Sequence, residues 1–194
     1  MPMPNVLVLA GSTRRDSVHR KLAGQVVTAL QHEGMQAEFA DLRDYPMPLY
    51  DGDLEAESGL PAAAAALKQR AREAGAFVIA SPEYNGSYSA VLKNAIDWIS
   101  RAAPGERPGE VFRGKNAAIL SASPGPGGGQ RGLGALRHLL EMISVQVIPE
   151  QLSIPRSTGA LNAAGELIRQ EDLAGLARLA AGLKEKTDAY PTQK

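Results

Sequence analysis

Short, almost wholly apolar runs alternate along this chain with longer stretches of helical periodicity. Residues 6–10, VLVLA, form the first run, as expected of a strand covered on both faces by helices. Val18, Leu22, Val26 and Leu30 then recur at a spacing of four and keep one face inward; Ser17 is placed to cap this helix and Gly34 to end it. Residues 36–40 read as a weaker strand. In residues 41–60, Pro46, Pro48, Gly52 and Gly59 predict an irregular stretch, either a binding lid or an ordinary surface loop. Pro61 suits the first turn of an alanine-rich helix that stops at Gly75, and residues 76–80, AFVIA, supply the third strand.

Tyr88, Val91, Leu92, Ala95, Ile96, Trp98 and Ile99 follow a helical stripe, closed by residues 104–109. Residues 117–120 form a fourth strand. Leu133, Leu136, Leu140 and Ile143 mark another helix, residues 145–148 a short fifth strand, and residues 171–189 a terminal helix. Strands alternating with helices predict an α/β protein, a flavodoxin-like three-layer sandwich. Its five-stranded parallel sheet runs in the order 2-1-3-4-5, with helices on both faces. No repeat or linker interrupts the order, so residues 1–194 read as one domain.

This arrangement gives meaning to three loops. GSTRRDS follows the first strand, SPEYNG the third and SASPGPGGG the fourth. In a parallel sheet all three emerge at the carboxyl edge, where ligands bind in open α/β folds. Composition narrows the ligand. The 21 basic and 21 acidic residues cancel, so no bulk field attracts nucleic acid or an anionic membrane, and any anion site must be local. Absence of cysteine excludes disulfides, thiolate nucleophiles and cysteine metal sites. His19, His32 and His138 share no ligand spacing; no metal site is expected, and all three are assigned to helix surfaces. The first apolar run is too short for a signal peptide or a membrane span and lacks a basic leader, which predicts a cytoplasmic protein.

GSTRRDS lacks both the dinucleotide fingerprint and the Gly-Lys-Ser/Thr ending of a nucleotide P-loop. It offers the hydroxyls of Ser12, Thr13 and Ser17, the guanidinium groups of Arg14 and Arg15, and free amides at a helix start, a set that suits a phosphomonoester. The alternative is a plain Ser17 cap with solvated arginines. In SPEYNG, Pro82 keeps Ser81 extended and Gly86 permits a sharp turn, so amides around residues 83–86 can face a flat heteroaromatic ring, with Tyr84 as a further face. An ordinary turn anchored by a half-buried Tyr84 is the competing reading. Residues 121–134 hold six glycines and two prolines; they suit close approach of a planar ligand to backbone, or a flexible linker. Arg131 is the only charged residue there and is assigned to solvent.

These residues carry a resemblance. GSTRRDS, SPEYNGSYSAVLKNAIDWISR and SASPGPGGGQRGLGALRHLL are similar to the NADPH-dependent FMN reductase family, which includes chromate, quinone and azo-dye reductases. The likeness covers about residues 6–148 and fades beyond Pro149. It implies a flavodoxin-like fold, non-covalent FMN, and NADPH or NADH as co-substrate. By position, Ser12, Arg14 and Ser17 would bind the FMN phosphate. Pro82, Glu83, Tyr84, Asn85 and Gly86 would hold the isoalloxazine through backbone, and Ser121 would approach the ring or ribityl chain.

The implied activity is an oxidoreductase passing hydride from NADPH to FMN, then to a quinone, flavin, azo compound or metal oxyanion, in ping-pong turnover. No catalytic residue of the chain is then required, because the flavin carries the chemistry. Glu83 reads as structural, its side chain toward solvent or a partner subunit, rather than as a proton relay. Asp97 and Trp98 are assigned to packing or subunit contact. The resemblance implies a homodimer or homotetramer acting on a small-molecule electron acceptor, with no nucleic acid and no membrane partner. A flavodoxin-type electron carrier is the alternative, although such carriers usually present a strongly acidic face and this chain is neutral. A flavin-free protein of the same fold is the other.

Overall fold

The computed structural model describes residues 5–189; residues 1–4 and 190–194 of the expected domain lie outside the described residues. The elements run β1 (Asn5–Ala10), α1 (Val18–His32), β2 (Gln36–Ala40), α2 (Gly52–Ser58), α3 (Ala62–Glu73) and β3 (Ala76–Ala80). There follow α4 (Ala90–Ile99), β4 (Asn116–Ala122), α5 (Gln130–Met142), β5 (Gln146–Ile154) and α6 (Gln170–Ala189). All strand pairings are parallel, in the order β2-β1-β3-β4-β5. That is the order expected from sequence.

Alternation along β1 divides the core into two layers. Val6, Val8 and Ala10 cluster with Leu22, Val26 and Leu30 of α1 and with Leu176, Leu179 and Leu183 of α6. Leu7 and Leu9 belong to the opposite layer, with Leu67 of α3, Leu92 and Ile96 of α4, and Leu136 and Leu140 of α5. Every residue of β3 and β4 is buried, which is why β3 and residues 117–120 of β4 are continuously apolar rather than alternating. Each buried Leu or Val stabilises the fold by roughly 1.5–3 kcal/mol relative to exposure. Two such layers hold the carboxyl ends of the strands in place.

Several boundaries differ from the sequence expectation. Residues 41–60 are not wholly irregular: Leu42–Asp44 makes a 3-10 turn and Gly52–Ser58 makes α2. The Asp51 carboxylate accepts the N–H groups of Asp53 and Leu54 at 2.8 and 3.4 Å, a cap strong enough to start a helix despite Gly52. Pro61 stands just before α3 rather than within its first turn. Tyr88 precedes α4, because Ser89 is the cap: its Oγ accepts the Leu92 N–H at 3.3 Å. β4 runs on to Ala122, so Ser121 is a strand residue, and α5 takes up Gly132 and Gly134.

β5 does not stop at Ile148. The ladder to β4 shifts from Ala117↔Val147 to Ile119↔Gln151, a bulge that admits Pro149, which has no N–H to donate. Arg137 holds this bulge by donating to the Val147 and Ile148 carbonyls at 3.1 and 2.8 Å.

Candidate functional site

Loops of residues 11–17, 81–89 and 123–129 leave the carboxyl edge after β1, β3 and β4. The first two are tied at Gly11. Its N–H donates to the Ala80 carbonyl at 2.8 Å, and its carbonyl accepts the Ser89 hydroxyl at 2.6 Å. A Cβ at position 11 would sit 3.0 Å from Ser89 Oγ and 3.2 Å from Leu92 Cβ, so a side chain there would press Ser89 and Leu92 out of place. Ser89 thus serves both as the α4 cap and as a brace for the first loop. A serine ahead of an apolar helical stripe was the available sequence signal.

In the first loop Ser12 and Ser17 are buried while Thr13, Arg14 and Arg15 are exposed. Ser12 Oγ accepts the Arg14 N–H at 3.4 Å. Ser17 occupies the N-cap position with extended backbone, yet its side chain makes no capping hydrogen bond. The plain-cap reading therefore does not hold. The first-turn N–H groups of α1 stay available to an anion, at the positive end of a fifteen-residue helix. Arg20 braces the loop from behind: its Nε donates to Asp41 Oδ2 at 2.7 Å and its Nη1 to the Arg15 carbonyl at 2.7 Å.

The second loop is a tight hairpin turn. Tyr84 and Ser87 exchange both backbone hydrogen bonds, at 2.9 and 3.0 Å, around Asn85 at φ 53° and Gly86 at φ 78°. Two successive positive φ values are the type I′ geometry that an Asn-Gly pair favours. The Tyr84 N–H is consumed in this pairing, which leaves the Asn85 and Gly86 amides outside it. Pro82 is buried, and Tyr84 is 51% exposed rather than a buried anchor.

Glu83 departs from expectation. Its carboxylate turns neither to solvent nor outward: Oε2 accepts the Gly132 N–H at 2.9 Å, and Oε1 lies 3.3 Å from Arg131 Nε. The cause is local. Gly129 is the N-cap of α5 and has no side chain to offer, so the helix end recruits a carboxylate from the neighbouring loop. Arg131 remains 84% exposed at its side chain while resting against Glu83.

The third loop is packed rather than a loose linker. A Cβ on Gly129, at φ +90°, would lie 2.0 Å from Ser121 Oγ; one on Gly128 would lie 2.8 Å from the Pro155 nitrogen. Ser121 is fully buried and its Oγ has no hydrogen-bond partner among the described residues. Beside it, His19 is buried, contrary to its expected surface place. It stands on the inward stripe of α1, ahead of Leu22 and Ala23, a spacing visible in the sequence. Its Nε2 accepts the Ala122 N–H at 3.1 Å. Burial pushes its pKa down to about 4, and the Arg14 charge acts in the same direction. His32 and His138 are exposed as expected.

Trp98 is fully buried and its Nε1 donates to the Pro48 carbonyl at 2.8 Å, while Asp97 pairs with Lys93 at 2.7 Å. Neither reaches the loops. Two open clefts flank the site. One of about 370 Å³ is lined by Thr13, Arg43, Tyr45, Met47 and Asn94 among others; one of about 450 Å³ lies where β5 meets α6, with Ser153 and Pro155 in its wall. Among the described residues no group of His, Asp and Glu is arranged to hold a metal ion, and no helix is long and apolar enough to cross a membrane.

Known proteins resemble this chain in sequence and in shape. The family model described as NADPH-dependent FMN reductase matches residues 4–159. An NAD(P)H-dependent FMN reductase of Pseudomonas aeruginosa is 40% identical over 164 residues, 84% of each chain. A quinone reductase of Escherichia coli is 33% identical over 189 residues, 85% of this chain and 95% of that protein. An NADPH:quinone oxidoreductase of Arabidopsis thaliana is 40% identical over 131 residues; the match spans 66% of this chain and 63% of that protein. Among solved structures, the flavoenzyme NAD(P)H:acceptor oxidoreductase FerB of Paracoccus denitrificans superposes with a TM-score of 0.82. It is 26% identical, over 97% of this chain and 99% of that one.

Proposed function

The chain belongs to the NADPH-dependent FMN reductase family, and from that premise we propose that it binds FMN at the three loops and reduces a quinone or similar small acceptor at the expense of NAD(P)H. One observation carries the placement. At the carboxyl edge of the sheet the Ser17 side chain makes no capping bond among the described residues, which leaves the first-turn N–H groups of α1 to face an anion such as a phosphate. The residues present fit FMN.

Ser12, Arg14, Ser17 and the α1 amides would hold the phosphate. Pro82, Glu83, Tyr84, Asn85 and Gly86 would supply backbone to the ring, with Asn85 and Gly86 as the amides left by the turn. Ser121 would meet the ring or ribityl chain. When bound, FMN supplies the hydride chemistry, accepting from NAD(P)H and giving to the acceptor. The chain's own work is to fix the phosphate, keep one face of the ring accessible and orient two substrates in turn, which is the basis of a ping-pong sequence. Glu83 is engaged as the α5 cap, which favours a structural part for it over proton relay.

The relatives include quinone reductases of Escherichia coli and Arabidopsis thaliana, which supports a quinone ahead of a free flavin, an azo compound or a metal oxyanion. We place the protein in the cytoplasm, as a homodimer or homotetramer with α4 at a contact. Leu49, 78% exposed, supports that contact, since its neighbours Pro48 and Tyr50 are bonded to Asn94 of α4.

Anaerobic titration of the FMN-loaded protein with NADPH and then NADH tests the reading, followed by a panel of acceptors at one NADPH concentration. Bleaching of the flavin band and its return with a quinone are expected. A protein that takes up FMN but is bleached by neither nucleotide is a carrier rather than a reductase.

A further inference from the structure

We propose that His19 is a positioning residue that joins the phosphate loop to the wall after β4, by accepting the Ala122 N–H at its Nε2. The inference rests on the FMN reading above. β3 and β4 run in register through Ala80↔Leu120, and the Ser81 N–H still donates to the Leu120 carbonyl at 2.9 Å. In a parallel ladder the next rung would send the Ala122 N–H to the Ser81 carbonyl. β3 has ended by then, at the turn into Pro82, and the Ala122 N–H goes to His19 instead, at 3.1 Å. A side chain from α1 replaces a rung of the sheet where the two strands part to open the crevice.

The substitution changes what is tied to what. A ladder bond would link β4 to β3, whereas His19 links β4 to the helix whose N-cap is Ser17. Ala122 directly follows Ser121, whose buried Oγ has no hydrogen-bond partner among the described residues. One imidazole therefore bridges the proposed phosphate grip and the proposed ring contact, across 103 residues of sequence. The bond is strongly held, because a buried backbone N–H without an acceptor is rarely tolerated. It also requires an unprotonated Nε2, so the neutral ring carries its proton on Nδ1.

FMN spans both subsites and depends on their relative placement; riboflavin, lacking the phosphate, does not. The test measures FMN and riboflavin affinities by flavin fluorescence for wild type, His19→Phe and His19→Gln, with thermal melts alongside. It adds the tautomer of His19 in the wild-type protein from its imidazole ¹⁵N shifts. His19→Phe keeps an apolar ring without an acceptor and is expected to weaken FMN about tenfold while leaving riboflavin within about twofold. His19→Gln offers an amide oxygen at similar reach and is expected to restore FMN to within about threefold of wild type.

Equal weakening of both flavins overturns the proposal, as does a lowered melting temperature with unchanged FMN affinity. A wild-type tautomer protonated at Nε2 also overturns it, and that measurement decides the matter even if His19→Phe does not fold. Wild-type protein that binds neither flavin overturns the cofactor reading and this inference with it; that failure is told apart because it appears before any substitution.

Discussion

The Glu83 carboxylate accepts the Gly132 N–H at 2.9 Å, so a residue of the loop after β3 caps the helix that follows β4. The contact is close on both sides: a Cβ on Gly132 would lie 3.0 Å from that of Glu83. The two loops are thereby locked together, and the hairpin turn beside Glu83 inherits the rigidity of α5.

Glu83→Gln tests this assignment. The amide keeps the shape but gives up the charge toward the helix end and Arg131, so the fold should lose about 1 kcal/mol, seen as a lower denaturation midpoint. The pH dependence of flavin reduction should keep its shape. Disappearance of an inflection in that profile would mark Glu83 as a proton donor or acceptor.

Arg14→Ala should weaken FMN by about 1.5–3 kcal/mol, the worth of one charge-assisted hydrogen bond. Arg14 is exposed on the loop that precedes α1, so the change should leave the melting temperature of the flavin-free protein almost unaltered. Equilibrium fluorescence titration reads the first effect and calorimetry the second. Equal FMN affinity in both proteins would remove Arg14 from the phosphate grip.

Gly129→Ala should be among the more damaging small substitutions in the chain. Position 129 has φ +90°, and the new methyl would arrive 2.0 Å from Ser121 Oγ; the combined strain and clash should cost roughly 1–3 kcal/mol. Adding Ser121→Gly removes the clash but not the backbone strain, so the double variant should recover part of the loss. Urea denaturation of the four proteins in the cycle measures the coupling.

The buried His19 predicts an acid-sensitive stability. Its pKa is about 4 when folded against an ordinary 6.5, so between those values the unfolded chain binds the proton and the native one does not. Stability therefore falls as pH drops from about 6.5 toward about 4, by roughly 3 kcal/mol in all. Glu106 adds a loss at still lower pH: the Lys68 ammonium bonded to it holds its carboxyl below the usual range, so its contribution disappears as pH falls through that lowered value. Comparing denaturation of wild type and His19→Gln across pH 4–7 isolates the histidine, since the difference between them should shrink as pH falls. A constant difference would mean that His19 titrates alike in both states.

Much of the fold was legible because periodicity reports burial. Leu22, Val26 and Leu30 recur on one face of α1, and all three are inside; the apolar AFVIA run is a strand buried throughout. The same logic was available for His19, which shares that stripe, but a lone histidine carries less weight than a leucine at the same spacing. The bulge at Pro149 and the short α2 were illegible for a different reason. Both depend on single hydrogen-bonding groups, the Arg137 guanidinium and the Asp51 carboxylate, which outweigh the tendency of Pro and Gly to end an element.

The sequence by itself determined the fold class, the strand order and the gathering of three loops at one edge. Those follow from hydrophobic repeats and from the few ways in which right-handed crossovers can join them. Only the tertiary structure decided where the polar side chains of that edge point: Glu83 to α5, His19 to Ala122, and Ser121 into a buried position with no partner among the described residues. Those outcomes rest on contacts between residues 49 and 103 positions apart. Hydrogen bonds of that reach are set by how strands and helices end in space, and no local pattern along the chain encodes them.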